Sequence, residues 1–182
     1  MTEPTEDDTK DDHWARRHAI VYNAEMSALY HQKRERFFEL GDKLTKVASL
    51  LGGSAALYKV SEPSVIGAVA VMITTASALS LVFGFSERAR KHAELSREFK
   101  GLISEISRVG PFDFADDDLK AWDEARCRLE IKEPPALSLL VVICQNELAI
   151  AQNQPSRVVH ISFWKRILAN FIDLPVPVLH NS

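Results

Sequence analysis

The sequence predicts an all-α chain: a two-helix transmembrane hairpin with long cytoplasmic helical extensions, followed by a small C-terminal helical lobe. Three observations carry this. Charge is abundant at both ends but nearly absent between Val47 and Ser86. Apolar residues in the flanking segments recur at spacings of three and four, the period of a helix with one buried face. Lys and Arg crowd both outer sides of the uncharged region and are scarce in the turn within it.

Composition narrows the function classes. The formal net charge of -3 is too small for a nucleic-acid footprint, and no aromatic-basic stripe suggests one. Cys127 and Cys144 are the only cysteines. With no secretory signal in view they read as reduced thiols in a reducing compartment, a disulfide between them being the minor alternative. Residues 1–12 open with Thr2-Glu3-Pro4-Thr5-Glu6-Asp7-Asp8, acidic where a leader would be basic and then apolar. With almost nothing to bury, they are expected to be a disordered acidic tail.

The first helix is expected from Trp14 to about Leu40. Ala15, Ala19, Tyr22, Met26, Leu29, Phe37, Leu40 and Leu44 mark its apolar side, and Gly41-Asp42 is a candidate kink. Arg16, Arg17, Glu25, Lys33, Arg34, Glu35 and Arg36 read as its solvated face. Val47–Tyr58 carries no charge. As a helix it is roughly 18 Å long, short for a bilayer core of about 30 Å unless Lys46 and Lys59 snorkel. The run from Pro63 through Ser86 is longer, roughly 36 Å as a helix, enough to span with tilt. Its polar groups are Ser and Thr hydroxyls, which bond back to their own helix. The expected spans are about 44–60 and 63–86, joined by a turn at Lys59–Glu62.

Lys33, Arg34, Arg36, Lys43 and Lys46 precede the pair, and Arg88, Arg90, Lys91, Arg97 and Lys100 follow it. The positive-inside rule puts both termini in the cytoplasm and the turn outside. Ala48, Gly52 and Ala56 lie four apart, as do Ala70, Thr74 and Ala78. Such stripes let membrane helices approach closely, so they are candidates for helix packing or oligomerisation, although small residues are also simply common in membrane helices.

Beyond the second span, His92, Leu95, Phe99, Leu102, Ile106 and Val109 form a heptad-like seam, with the first helix as its obvious partner. Together they make a cytoplasmic stalk, closed by Gly110-Pro111. The hairpin with its stalk is thus assigned to 13–110 and the lobe to 111–182. In the lobe, Asp116-Asp117-Asp118 opens a helix to about Ile131, Pro134-Pro135 ends it, and a buried helix runs from about Ala136 to Ala151. A last helix is expected from Ser162 to Ile172. Packing onto the lobe is its expected role, and lying on a membrane surface the other reading.

No catalytic, cofactor or metal constellation is present in the sequence. His13 and His18 are five apart, off a common helix face, and His31, His92, His160 and His180 are scattered. There is no phosphate loop, paired CxxC or nucleophile elbow. His92 reads as a packing residue of the seam, and Asn146 beside Glu147 as part of a buried hydrogen-bond network. The chain is therefore expected not to be an enzyme.

The layout resembles the SLATT family, the SMODS and SLOG-associating two-transmembrane effector domains of bacterial conflict systems. The resemblance lies in Tyr22, Glu25, Tyr30 and Phe37-Phe38 before the first span, and in Gly52-Gly53-Ser54-Ala55-Ala56 within it. After the second span it lies in Ala89, His92, Leu95, Phe99, Leu102 and Glu105-Ile106, and later in Pro134-Pro135 and Asn146-Glu147-Leu148-Ala149. It covers roughly residues 15 to 150. The resemblance implies an oligomeric inner-membrane effector of antiviral defence. It would be triggered by a separate sensor or nucleotide-synthase partner, and it would breach the bilayer and halt phage spread by abortive infection. On that reading Leu95, Phe99 and Leu102 repack on signalling, and the hydroxyls around Thr74, Thr75, Ser77 and Ser80 are pore-lining candidates, Thr74 and Ser77 foremost. Two other classes compete: a non-pore membrane scaffold that recruits a partner through its cytoplasmic helices, and a soluble bundle in which Val65–Phe85 is a buried central helix.

Overall fold

The structure, a computed structural model, describes residues 6–57, 63–111 and 113–176, with side chains described for 10–51, 67–111 and 113–176. The described residues are all-α, with no strand among them. In order they form α1 (Glu6–Leu57), α2 (Pro63–Phe83), α3 (Phe85–Arg108), α4 (Asp116–Glu130), α5 (Ser138–Ala151), a 3-10 turn (Pro155–Arg157) and α6 (Phe163–Leu168).

Three boundaries differ from expectation. Helix α1 starts at Glu6, inside the segment read as a disordered tail. The same helix runs unbroken through Gly41-Asp42 to Leu57, so the glycine does not end it. Helix α2 ends at Phe83 because Gly84 takes a left-handed φ of 53°, a conformation that costs other residues. The Gly84 N–H still donates to the Ser80 carbonyl at 3.1 Å, the usual way a glycine closes a helix.

The chain divides into two compact units, one comprising Met1–Gln32 and Glu94–Ser182, the other Lys33–Ala93. The division does not fall at 110, because the lower part of α3 packs with α4. In the first unit Phe99, Leu102 and Ile106 of α3 bury against Ile20, Ala24 and Ala28 of α1 and Leu119 and Trp122 of α4. Within this unit the seam therefore meets α1. Each large side chain so buried contributes about 1.5–3 kcal/mol. Ser96 Oγ donates to the Ala28 carbonyl at 3.1 Å inside the same contact. A second core joins Tyr30 to Leu139, Leu140, Ile143 and Cys144 of α5 and to Ala169, with Met26 and Leu29 at its edge.

Helix α1 is thus sandwiched between two cores, which corrects the single apolar stripe read from the sequence. Ala19, Leu40 and Leu44 of that stripe are exposed, whereas Ile20, Ala24, Ala28, Tyr30, His31 and Phe38 are buried. Met26, Leu29 and Tyr30 serve one core, Ile20, Ala24 and Ala28 the other. Superposing two faces on one helix blurs the periodicity that the eye follows.

The lobe's polar groups are tied to these cores. Tyr30 Oη accepts the Leu137 N–H at 3.0 Å and Asp173 accepts the Ser138 N–H at 2.7 Å, so side chains from elsewhere satisfy donors at the start of α5. Asn146 clasps Val159 through both amide atoms, at 2.7 and 2.8 Å, which pins the chain after α5. Both cysteines are free thiols, Cys144 buried in the second core. At the other end of the unit, Ala115 precedes α4 and its N–H donates to Asp118, at 2.8 Å.

Candidate functional site

Unit two contains the lower half of α1, all of α2 and the start of α3. Most of its described large apolar side chains are exposed. Leu50 is 70% exposed, Leu81 84% and Val82 77%, and Leu44, Val47, Leu51, Val71, Met72 and Phe83 join them. The helical stretch Gly67–Arg108 includes an 18-residue window long and apolar enough to cross a membrane, of which 6% is buried. The central helix of a single-chain soluble bundle would be mostly buried, whereas this window is mostly exposed. One such helix is found among the described residues. The first expected span, about 44–60, lies partly outside them, as do the turn at 59–62 and the side chains of Gly52 and Ala56.

The two helices of this unit lie side by side and antiparallel. An open groove of about 470 Å³ is lined by Thr45, Lys46, Ser49 and Leu50 from α1 and by Ser77, Ser80 and Leu81 from α2. Further along, Gly41 faces Phe85, whose ring would lie 3.0 Å from a Cβ at position 41. Glycine there permits the close approach, which explains why Gly41 sits in an unbroken helix.

Among the described side chains of α2, those with least exposure are Val69, Ile73, Ala76 and Ser80, a single face at spacings of four, three and four. The expected small-residue stripe is elsewhere. Ala70, Thr74 and Ala78 are all exposed, and Thr74 bonds its own helix, Oγ1 donating to the Ala70 carbonyl at 2.8 Å. Ala48 is half-buried. Of the proposed hydroxyls, Ser77 and Ser80 line the groove, whereas Thr74 and Thr75 do not. Thr45 and Ser49 line it as well and were not singled out from the sequence. Their polarity relative to a partner helix is the only signal they carry, and it requires the pairing to be known.

At one end of the helix pair the apolar surface gives way to rings and cations. Phe38 is buried and stacks on His92 at 5.5 Å, with the Arg34 guanidinium 4.5 Å and that of Arg88 5.8 Å from its centroid. Phe83 stacks on Phe85 at 5.4 Å. Lys43 pairs with Glu39 and Lys46 with Asp42, each one turn along α1. His92 is thus a buried packing residue against Phe38, while Leu95, Phe99 and Leu102 lie in unit one.

Unit one offers two features of its own. His31 is fully buried, its Nε2 lies 3.0 Å from Glu133, and its ring stacks on Phe99 and meets Tyr30 edge-on. The sequence left His31 among scattered histidines because its carboxylate partner is 102 residues away. A cleft of about 180 Å³ is lined by Trp14, Arg17, His18, Tyr22, Glu25 and Gln152 among others. Arg17 is engaged structurally there. It packs between the rings of Trp14 and Phe114 and donates to the Ile106 carbonyl near the end of α3, where a cation also suits the helix dipole. No group of three or more metal-ligating side chains occurs among the described residues.

No protein-family model matches the chain, and it is not significantly similar to any curated protein or solved structure compared with it.

Proposed function

We propose that this protein is a two-transmembrane effector of a bacterial antiviral or conflict system, which oligomerises in the inner membrane and breaches it when a separate sensor or nucleotide signal arrives. The observation that carries the membrane part is the exposed apolar surface of α2. In water that surface would be a standing cost of about 25 cal/mol per Å², and lipid removes it. The apolar turns at the end of α1, exposed at Leu44, Val47, Leu50 and Leu51, favour a second span antiparallel to the first. Arg34, Arg88 and the neighbouring lysines favour both outer ends of that hairpin on the cytoplasmic side.

Oligomerisation is supported by the small-residue stripe of α2. Within one chain Ala70, Thr74 and Ala78 are exposed, where a second copy would meet them. Repetition of that contact would close a ring. The groove hydroxyls of Thr45, Ser49, Ser77 and Ser80 are the candidate lining of the resulting pore. The effector role itself rests on the SLATT-like residue pattern, and the absence of a nucleotide motif is the reason for assigning the sensor to another protein.

Induced expression with a potential-sensitive dye, followed by carbonate extraction of the same cells, tests this reading. Extraction-resistant protein that collapses the membrane potential is expected. Resistant protein that leaves the potential intact, even when co-expressed with its genomic neighbours, identifies a scaffold. Protein that washes out ends the membrane reading. For the lining, Ser77→Leu with Ser80→Leu is expected to reduce ion leakage at unchanged protein level.

A further inference from the structure

The segment after α5 carries a composition unlike the rest of the chain. Acids outnumber Lys and Arg overall, 25 to 22, yet no Asp or Glu occurs from Leu148 to Ile172. Arg157, Lys165 and Arg166 lie in that stretch and all three are exposed. Among the described residues, neither Lys165 nor Arg166 takes part in an ion pair.

Helix α6 and the turn that continues it are built inside out. Ala169, the smallest side chain, is fully buried in the second core. Phe163 is 69% exposed and Trp164 71%, and Ile167, Leu168, Phe171 and Ile172 are exposed beside them. Backbone bonds from Ala169 to Lys165 and from Ile172 to Leu168 carry the helical winding through this stretch. At 3.6 residues per turn the six large apolar residues occupy one half of the circumference, and Lys165, Arg166 and Ala169 the other. A helix docking on a domain in water turns its large apolar residues inward. Here the docking face is alanine, and the aromatic face is left out. The sequence-based expectation that this segment closes the lobe's core therefore holds only for Ala169.

We propose that this face is an interfacial anchor that lies on an anionic bilayer surface. Phe163, Trp164, Ile167 and Phe171 enter the boundary between headgroups and acyl chains, and Lys165 and Arg166 sit among the lipid phosphates. The charge complementarity selects the occupant: an exposed aromatic face flanked on its own turns by Lys165 and Arg166, with the nearest acid, Asp173, engaged by the Ser138 N–H, suits an anionic lipid surface. A second copy packed face to face would bring Lys165 and Arg166 of both chains together, like charge on like. The proposal rests on the reading that α2 spans, which tethers the lobe to a bilayer through the same chain.

The test uses the full chain in nanodiscs of phosphatidylcholine with or without phosphatidylglycerol, the lipids plain or brominated near the headgroup end of the acyl chain. Trp164 emission is taken as the difference between the protein and Trp164→Phe. Brominated anionic discs are expected to quench at least half of it. Lys165→Glu with Arg166→Glu should restore most of the emission, since each cation near an anionic surface contributes about fivefold to partitioning. Both sites are exposed, so circular dichroism should report an unchanged fold. Equal Trp164 emission in plain and brominated anionic discs overturns the proposal. So does efficient disulfide cross-linking between copies of a Trp164→Cys variant, which assigns the face to a second copy. Should the protein wash out in carbonate, the spanning reading fails by itself. Co-flotation with phosphatidylglycerol vesicles, lost on the double charge reversal, then still supports the anchor, and absence of flotation refutes it.

Discussion

The two units of this chain use the same apolar residue types in opposite senses. In the unit of Met1–Gln32 and Glu94–Ser182, leucines such as Leu139 and Leu140 are buried and charge faces outward. In the unit of Lys33–Ala93, Leu50, Leu81 and Val82 face outward, and the least exposed side chains of α2 include Ala76 and Ser80. One arrangement lowers free energy in water, the other in hydrocarbon. The contrast teaches that two things distinguish the units: the charge that α2 lacks, and the side of each helix on which the large apolar residues lie.

The sharpest way to break the comparison is to make one substitution in each unit. Leu139→Ala removes a fully buried side chain and is expected to cost about 2–5 kcal/mol, whereas Leu81→Ala at an exposed site should stay within about 0.5 kcal/mol. Thermal unfolding in detergent, followed by circular dichroism, reads both. Equal losses would mean that Leu81 is packed and the inversion is not real.

A charge placed on the outer face of α2 comes next. Val71→Asp should weaken insertion by about 3 kcal/mol and shift the protein from the carbonate-resistant to the soluble fraction. In a water-soluble helix the same change at an exposed valine would be harmless, so unchanged resistance with normal folding would argue against lipid contact.

Smaller still is Gly84→Ala. A Cβ there meets no atom within 4 Å, so only the left-handed φ is penalised, by about 1–2 kcal/mol. A loss near zero would mean that the α2–α3 junction relaxes to a continuous helix. The least effect is expected at the surface of the lobe. Asp116 is bonded by Lys120 at 2.6 Å and by Arg16 at 2.7 Å, and in that order they hold its carboxyl below the ordinary value of 3.8. A lowered carboxylate contributes stability above its unfolded value and loses it as pH falls through the folded one. Because the carboxylate is open to solvent, screening leaves only a small share of this. Asp116→Asn should lower the unfolding midpoint slightly at pH 7, with the difference shrinking as pH falls below the ordinary carboxylate value and shrinking in high salt. A difference that grows on acidification would contradict the assignment.

What the sequence determined by itself is local in origin. Helical spacing around Leu95, Phe99, Leu102 and Ile106 put those residues on one face, and all four are buried. The uncharged run from Pro63 announced a helix unlike the others, because charge content needs no knowledge of partners. Asn146 in an apolar helix announced a hydrogen bond, since a polar side chain there requires one. The tertiary structure decided what depends on residues far apart in the chain. It gave α1 two cores instead of one stripe and paired His31 with Glu133. It turned Val69, Ile73 and Ala76 inward while leaving Ala70, Thr74 and Ala78 outside, and it buried Ala169 while exposing Phe163 and Trp164. Periodicity states that a helix has two sides. Which side meets a neighbour is fixed by contact free energy between segments that no local window contains.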